Sequence, residues 1–304
     1  MKIRSWTVNM KSIVVSIFLC FSLLLSGCTS TEPEKTLEQH ALSSGSGSDS
    51  ITVMDPLDTT LIEEEVNTNL PMEQAASVAV SQSEVSERRE LELNNPVICI
   101  EAGHQSKGNS SLEPNAPGSK TMKQKVLSGT QGRKTKKPEY ELNLEVALKL
   151  EKALQKNYEV IMVRRSNDVD ISNSERALLC NAANADLMIR LHADGSDNHQ
   201  MKGMSFLYPS LDSKYTKEIS QESLDVIKIV SKFIIQETGA KSNGLKPRDD
   251  LTGFNWLKVP SILIEMGFMT NLEEDLLMSK VEYQDTIVKG IKEGLDSYYA
   301  NYGG

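Results

Sequence analysis

The sequence predicts an α/β fold, in which a mostly parallel (mixed) and twisted sheet is flanked by helices on both faces of a single domain, residues 95–304. Three observations indicate this fold. Short apolar runs recur after residue 95, amphipathic helical patterns separate them, and the first 94 residues show neither pattern. Strands that alternate with helices in this way are typical of layered α/β proteins.

The elements of this domain follow one another along the chain. The run "PVICIEA" predicts a first strand at 96–102, and Leu142, Val146, Leu150 and Ala153 lie on one face of a predicted helix at 139–156. The other predicted strands are 158–163, 186–191, an edge strand at 203–208, and 261–265. The other predicted helices are 172–185, 218–237, 272–278 and 282–299.

The N-terminus has the pattern of an export signal. Three basic residues precede an uncharged run at 12–27, which is too short to predict a membrane span with assurance. The run ends in "LSGC", which resembles the lipobox of bacterial lipoproteins. We therefore expect a lipoprotein signal peptide at 1–27 and a lipid-carrying Cys28 that anchors the protein, extracytoplasmic, to the outer face of a bacterial membrane. An ordinary signal peptide with an incidental cysteine is the alternative.

Residues 28–94 predict a disordered acidic tether. This segment contains "SSGSGSDS" and "EEE", and its fourteen acids outnumber its three bases. It offers too little apolar surface to offset the entropy of ordering. Because the tether carries more than the whole formal net charge of -9, the folded remainder is near neutral and a nucleic-acid partner is not supported.

Two cysteines, Cys99 and Cys180, follow Cys28, and both lie in apolar surroundings. We expect them to be buried as small hydrophobic residues. A disulfide between them is the alternative.

Three predicted strands end in a residue that can bind a metal or transfer a proton. "VICIEAGH" ends in His104, "LMIRLH" in His192 and "SILIE" in Glu265. The carboxyl ends of strands are where α/β sheets place their sites. Two histidines and one carboxylate, with a fourth position for water, form a common open zinc site.

The third ligand has to come from another segment, and "KPEYELNLEVALKL" offers several acids. Glu139 precedes Leu142 by three residues and Val146 by seven, so it prolongs the inward face of the predicted helix, whereas Glu141 points away from it. We therefore predict Glu139 as the ligand and keep Glu141 as the alternate.

Four motifs resemble the zinc-dependent N-acetylmuramoyl-L-alanine amidases that cut peptidoglycan. They are "GHQ", "PEYELNLEVALKLEKAL", "SNSERALLCNAANADLMIRLHADGS" and "VPSILIEMGFMTNLEED". The resemblance covers nearly all of the predicted domain. It implies one Zn²⁺ held by His104, Glu139 and His192, and it implies Glu265 as the catalytic carboxylate.

The implied reaction is hydrolysis of the amide bond between N-acetylmuramic acid and the L-alanine of the stem peptide. Zinc lowers the pKa of a bound water and polarises the carbonyl, and Glu265 would act as general base and then as general acid. Two rival functions are a non-catalytic peptidoglycan-binding lipoprotein and a zinc peptidase that acts within the stem peptide. The implied partner is peptidoglycan, and the need for an activator protein is left open.

The chain departs from the family pattern near its predicted ligands. The family usually has Asp where this chain has Glu101, and Asn where it has Asp194. The extra methylene of Glu101, so close to a predicted ligand, would alter how the ligands are oriented. Arg164, Asn181, Lys246 and Arg248 are candidate substrate-binding residues, with structural pairing as the alternative for the first two.

The segment between His104 and Glu139 is long for a connection between a strand and a helix. It carries one acid, Glu113, and eight bases: Lys107, Lys120, Lys123, Lys125, Arg133, Lys134, Lys136 and Lys137. A solvated loop is one interpretation. The other is a loop that overhangs the cleft and attracts anionic wall polymers.

Overall fold

The computed structural model describes residues 95–302. The predicted signal peptide at 1–27, the tether at 28–94 and the lipid site at Cys28 lie outside these residues. Within the described part of the chain, every helix is too short or too polar to cross a membrane.

Eight strands and six helices make up the described domain. The strands are β1 Val97–Ala102, β2 Asn109–Pro114, β3 Met122–Val126, β4 Glu159–Met162, β5 Leu187–Asp194, β6 Met204–Pro209, β7 Ser242–Arg248 and β8 Ser261–Phe268. The helices are α1 Glu139–Leu154, α2 Asn173–Ala182, α3 Lys217–Thr238, α4 Thr252–Asn255, α5 Leu272–Met278 and α6 Val281–Tyr302.

Six of the strands form one sheet in the order β4-β1-β5-β8-β6-β7. All neighbouring pairs are parallel except β6 and β8, which are antiparallel. Helices cover both faces. Ile98 and Ile100 of β1 pack into a core with α1, α3 and α6, whereas Cys99 between them packs into a second core with α2 and α4. This arrangement confirms the predicted α/β fold and explains why the central strands are apolar on both sides.

One strand was predicted in the wrong place in the sheet. The predicted edge strand at 203–208 is β6, which pairs with both β8 and β7. The edge strand is β7, a segment for which no strand was predicted. It contains Gly244 and Pro247, and proline is tolerated at an edge because its missing N–H breaks no interior pairing there.

The basic segment between His104 and Glu139 is not wholly a loop. β2 and β3 pair antiparallel in a separate two-stranded sheet, with Glu113 opposite Lys123. Their sequences, "NSSLEP" and "MKQKV", are largely polar, so no apolar alternation indicated a strand. Pairs of polar side chains across the two strands stabilise the hairpin, whereas burial of apolar side chains stabilises the main sheet.

The expectation for the two cysteines was wrong, because Cys99 and Cys180 form a disulfide. Cys99 alternates with Ile98 and Ile100 and so faces α2, where Cys180 lies on the inward side. The two Cα atoms are 5.7 Å apart, which suits a disulfide. Both cysteines are fully buried, as expected, but packing also brings them within bonding range.

The disulfide links residues 81 positions apart, so it removes much of the freedom of the unfolded chain. We predict that the double variant Cys99→Ala/Cys180→Ala loses about 2–4 kcal/mol of unfolding free energy. Urea titration with and without dithiothreitol measures the loss. Dithiothreitol should lower the urea midpoint of the wild type and leave that of the variant unchanged. An equal wild-type midpoint with and without dithiothreitol would contradict the stabilising role of the disulfide.

Candidate active site

Three predicted ligands lie together at the carboxyl ends of β1 and β5. One nitrogen of His104, one nitrogen of His192 and a carboxylate oxygen of Glu139 all lie within 4.8 Å of one another. Glu139 Oε1 is 3.1 Å from His104 Nε2 and 3.3 Å from His192 Nδ1. The two imidazole rings meet edge to face, with centroids 4.9 Å apart.

His104 is held by its backbone conformation and by one main-chain carbonyl group against its ring. It follows β1 with φ at 60°, in the left-handed region that residues other than glycine seldom adopt. Its Nδ1 lies 2.8 Å from the carbonyl oxygen of Leu127. Because Nδ1 donates to that carbonyl, Nε2 is the ring nitrogen that faces Glu139 and would bind a metal there.

His192 lies inside β5, where the pairing with β8 shifts register just after it. Its Nδ1 faces Glu139, and its Nε2 is 3.7 Å from Glu101 Oε2. Burial alone would lower the pKa of His192, but the carboxylates of Glu101 and Glu139 raise it to about 9. The histidine is therefore surrounded by negative charge that would also favour a cation.

Glu139 is the first residue of α1, and its carboxylate is fixed by three donors. Its Oε2 accepts from the N–H of Thr130, and its Oε1 accepts from the N–H of Ala193 and from Asn143 Nδ2. Burial raises its pKa, but hydrogen bonds from His104 and His192 more than offset this and hold the pKa well below the usual range. The carboxylate is thus kept ionised, as a metal ligand must be.

Glu265 lies beside His192, since the two residues are paired in register across β5 and β8. Its Oε2 is buried and has no hydrogen-bond partner among the described residues. Burial, together with the charges of Glu139 and Asp194, raises the pKa of Glu265 to about 7 against the opposing charges of His192 and Arg190. A carboxylate with a pKa near neutrality suits proton transfer.

A cleft of about 220 Å³ opens over these residues. Its lining includes His104, His192, Glu265, Arg190 and Arg248. Two imidazoles and one carboxylate, with an open side toward a cleft, are the donor set of a catalytic zinc site. The residues present therefore fit a zinc ion.

Glu101, the departure from the family pattern, is the centre of a buried ionic cluster. Its Oε1 is 3.0 Å from Arg176 Nη1 and its Oε2 is 2.5 Å from Arg190 Nε. Burial opposes ionisation, but Arg190, His192 and Arg176 hold the pKa of Glu101 well below its usual value. Sequence reasoning missed the role of Arg190. The signal was its position inside the apolar run "LMIRLH", where a charged residue needs a partner.

The candidate substrate-binding residues have different surroundings. Arg164 is buried and bonds the carbonyls of β1 and α1 residues. Asn181 bonds the main chain of Trp256 and Lys258. Lys246 donates to Ser205 Oγ. The structure therefore brings Arg248 alone of these four to the lining of the cleft.

The basic segment approaches the metal ligands through its main chain. Leu127 lines the cleft, but none of the eight basic residues of this segment does so in the described domain. Lys123 is paired with Asp250, and Lys137 with Glu145.

Comparisons with known proteins agree with this geometry. Residues 98–297 match the family described as N-acetylmuramoyl-L-alanine amidase. The chain is 27% identical over 161 residues to an N-acetylmuramoyl-L-alanine amidase of Bacillus subtilis; the match covers 53% of this chain and 31% of that protein. It is 26% identical over 218 residues to an N-acetylmuramoyl-L-alanine amidase of Mycobacterium tuberculosis, covering 68% of this chain and 88% of the relative. The chain thus spans less than a third of the first relative and most of the second.

Among solved structures, the N-acetylmuramyl-L-alanine amidase Ami1 of Mycobacterium smegmatis is similar to this chain with a TM-score of 0.59 and 26% identity. The match covers 66% of this chain and 97% of that structure. The shared fold therefore extends over nearly the whole of that structure's chain and over most of the domain described above.

Gly129 leaves room for two of the three ligands. A Cβ atom at this position would lie 2.6 Å from Glu139 Oε2 and 2.9 Å from the ring of His104. We predict that Gly129→Ala weakens zinc binding about 10- to 100-fold, because it displaces groups that orient the ligands. Competition with a chromogenic chelator measures the affinity.

Gly118 provides a matched control. Its φ is 71°, close to the 83° of Gly129, but a Cβ atom there would meet nothing within 4 Å. Gly118→Ala should therefore show the same backbone strain with unchanged zinc affinity. Equal affinity in both variants would refute the role given to Gly129.

Proposed function

The chain belongs to the N-acetylmuramoyl-L-alanine amidase family, and we propose that it hydrolyses the amide bond between N-acetylmuramic acid and L-alanine in peptidoglycan with one bound zinc ion. His104, Glu139 and His192 hold the metal, and Glu265 is the catalytic carboxylate. The observation that carries the proposal is the buried, unpartnered Oε2 of Glu265 beside this set of three ligands.

A bound zinc supplies a Lewis acid that activates water and polarises the scissile carbonyl. The chain's own residues prepare for this in two ways. The Leu127 carbonyl and the donors around Glu139 fix the ligand atoms before the metal arrives. The carboxylate of Glu101 lies 3.7 Å from His192 Nε2 on the opposite side of the ring and places a negative charge there.

Glu265 transfers the proton. Its Oε2 has no partner in the described domain, so it is free to accept a proton from the attacking water. It then donates this proton to the nitrogen of the L-alanine leaving group, so the carboxylate returns to its starting state. A pKa of about 7 makes both directions of transfer feasible near neutral pH.

The proposal also includes the location of the enzyme. The predicted lipid at Cys28 would tether the domain outside the cytoplasm, next to its substrate. The disulfide between Cys99 and Cys180 supports an oxidising compartment, since such bonds are rare in the cytosol.

Cleavage products test the function directly. We expect the purified chain to release intact stem peptides with free L-alanine amino termini from peptidoglycan, and Glu265→Gln or zinc chelation to abolish the release. Mass spectrometry of the products makes the measurement. Shortened peptides would instead indicate the rival peptidase, and binding without release by zinc-loaded protein would indicate the rival binding module.

A matched pair of variants tests the ligand set in the same assay. Glu139→Gln should lose both zinc and activity, because its Oε1 lies between the two histidines. Glu141→Gln removes the same charge two residues later and should keep both. The reverse outcome would make Glu141 the ligand.

The raised pKa of Glu265 also predicts a gain in stability on substitution. The folded protein holds this proton up to a pH of about 7, whereas the unfolded chain releases it near the ordinary glutamate pKa of 4.5. The unfolding free energy contributed by this group therefore falls as pH rises between these values. In metal-free protein, Glu265→Gln should gain about 2 kcal/mol of unfolding free energy at pH 8 and nothing below pH 4.

Urea titration at the two pH values, with chelator present, checks this prediction. Glu218→Gln, at the exposed start of α3, controls for the loss of one charge. A variant at position 265 that is no more stable than wild type at pH 8 would contradict the raised pKa.

A further inference from the structure

Three buried arginines surround the metal ligands, and two of them have all their nitrogens occupied. Arg164 donates to the carbonyls of Ala102, Gly103, Tyr140 and Ser166 and to Asn167. Arg176 donates to Glu101, Gln105 and the carbonyls of Ala102, His104 and Ile171. Every nitrogen of these two guanidinium groups therefore donates to an acceptor within the protein.

Arg190 differs from these two. Its Nε donates to Glu101, but within the described domain Nη1 and Nη2 have no hydrogen-bond acceptor. The residue is 3% exposed, and it belongs to the lining of the cleft. Neither terminal nitrogen is among the fully buried side-chain atoms that lack a partner, so both keep some accessible surface at the cleft, where a ligand could bind them.

The surroundings of Arg190 keep its open edge in place. The guanidinium carbon lies 5.5 Å from the centroid of the Phe254 ring. Gly253 lies so close that a Cβ atom there would be 2.6 Å from the guanidinium carbon and from both terminal nitrogens. Glu101, Phe254 and Gly253 thus fix the side chain while its terminal nitrogens remain available.

Glu101 is the one carboxylate of the described domain that accepts a hydrogen bond from Arg190, whereas Glu265 acts on Arg190 through its charge alone. Each oxygen of Glu101 lies against a different arginine, so one carboxylate faces two guanidinium groups. A positive charge without a full partner in a buried place has a large desolvation cost. A negatively charged ligand in the cleft would supply the missing partner.

A second arginine lines the same cleft. Arg248 is the last residue of β7, and Asp250 holds its Nε and Nη2 in a bidentate pair, which leaves Nη1 unpaired in the described domain. At about 220 Å³ the cleft is smaller than most ligand pockets, which occupy about 300–1,000 Å³. A ligand group that enters beside Glu265 is therefore close to both arginines.

We propose that Arg190 and Arg248 form a subsite that binds a carboxylate of the stem peptide next to the scissile bond. This inference rests on the proposed function. The lactyl carboxyl of the sugar is consumed in the scissile amide, so the nearest negative charge of the substrate lies on its peptide side. A second-position glutamate linked through its side chain keeps its α-carboxylate free, and guanidinium groups match a carboxylate in shape and charge.

Two muropeptides that differ at one group test the subsite. Both have the same sugars and peptide, but one carries the free α-carboxylate at the second stem residue and the other a carboxamide. We expect the protein to bind the carboxylate form about 10- to 100-fold more tightly, as hydrogen bonds between charged groups imply. Calorimetry with Glu265→Gln measures both affinities without turnover.

Variants assign the preference to the arginines. Arg248→Gln and Arg190→Lys should each reduce the preference, and Arg190→Lys keeps a positive charge beside Glu101 so that the fold is preserved. Lys228→Gln removes one charge from an exposed pair on α3, outside the cleft lining, and should leave the preference unchanged.

The outcomes separate this inference from the proposed function. Equal affinity for the two muropeptides overturns the subsite even if the wild type cleaves both. A preference that survives both arginine variants overturns its assignment to Arg190 and Arg248. Failure of the wild type to cleave either muropeptide, or peptidoglycan itself, counts against the function alone, because the affinities of Glu265→Gln still decide the subsite.

Discussion

The carboxylate of Glu101 is the interaction on which the rest of the site depends. It joins the second core, through Arg176 of α2, to the metal ligands, through His192 of β5. It also holds Arg190 by its Nε and so fixes the edge of the guanidinium that borders the cleft. A buried carboxylate is costly unless its charge is met, and here two arginines and a histidine meet it. The candidate metal ligands and the proposed carboxylate subsite therefore share one anchor.

Hydrogen bonds from buried arginines, and not further strand pairing, hold the backbone where it leaves the sheet. Beyond β1 the backbone leaves the regular ladder, and His104 takes up a left-handed conformation. Arg164 and Arg176 bond the carbonyl groups of Ala102, Gly103 and His104, which the sheet no longer satisfies in full. Strained backbone persists only where its surroundings over-determine it. The dense hydrogen bonding around this turn provides that support.

Much of the fold was accessible from the sequence, because buried parallel strands are apolar on both faces and helices repeat every 3.6 residues. The histidines and Glu265 were accessible for a related reason, since each ends an apolar run. The hairpin of β2 and β3 and the edge strand β7 were not, because neither buries a continuous apolar face. The disulfide and the unpaired nitrogens of Arg190 depend on how α2 and α4 pack on the sheet. Residue spacing along the chain does not predict this packing.

The clamp on the metal ligands comes from main-chain atoms of the segment after the hairpin. The carbonyl of Leu127 orients His104, and the N–H of Thr130 holds Glu139. Every amino acid except proline supplies the same two groups, so substitutions on the outer surface of the hairpin leave the clamp intact. The charge and shape of this surface can therefore change while the main-chain contacts to His104 and Glu139 stay the same. Such a segment tolerates changes of composition far better than changes of length.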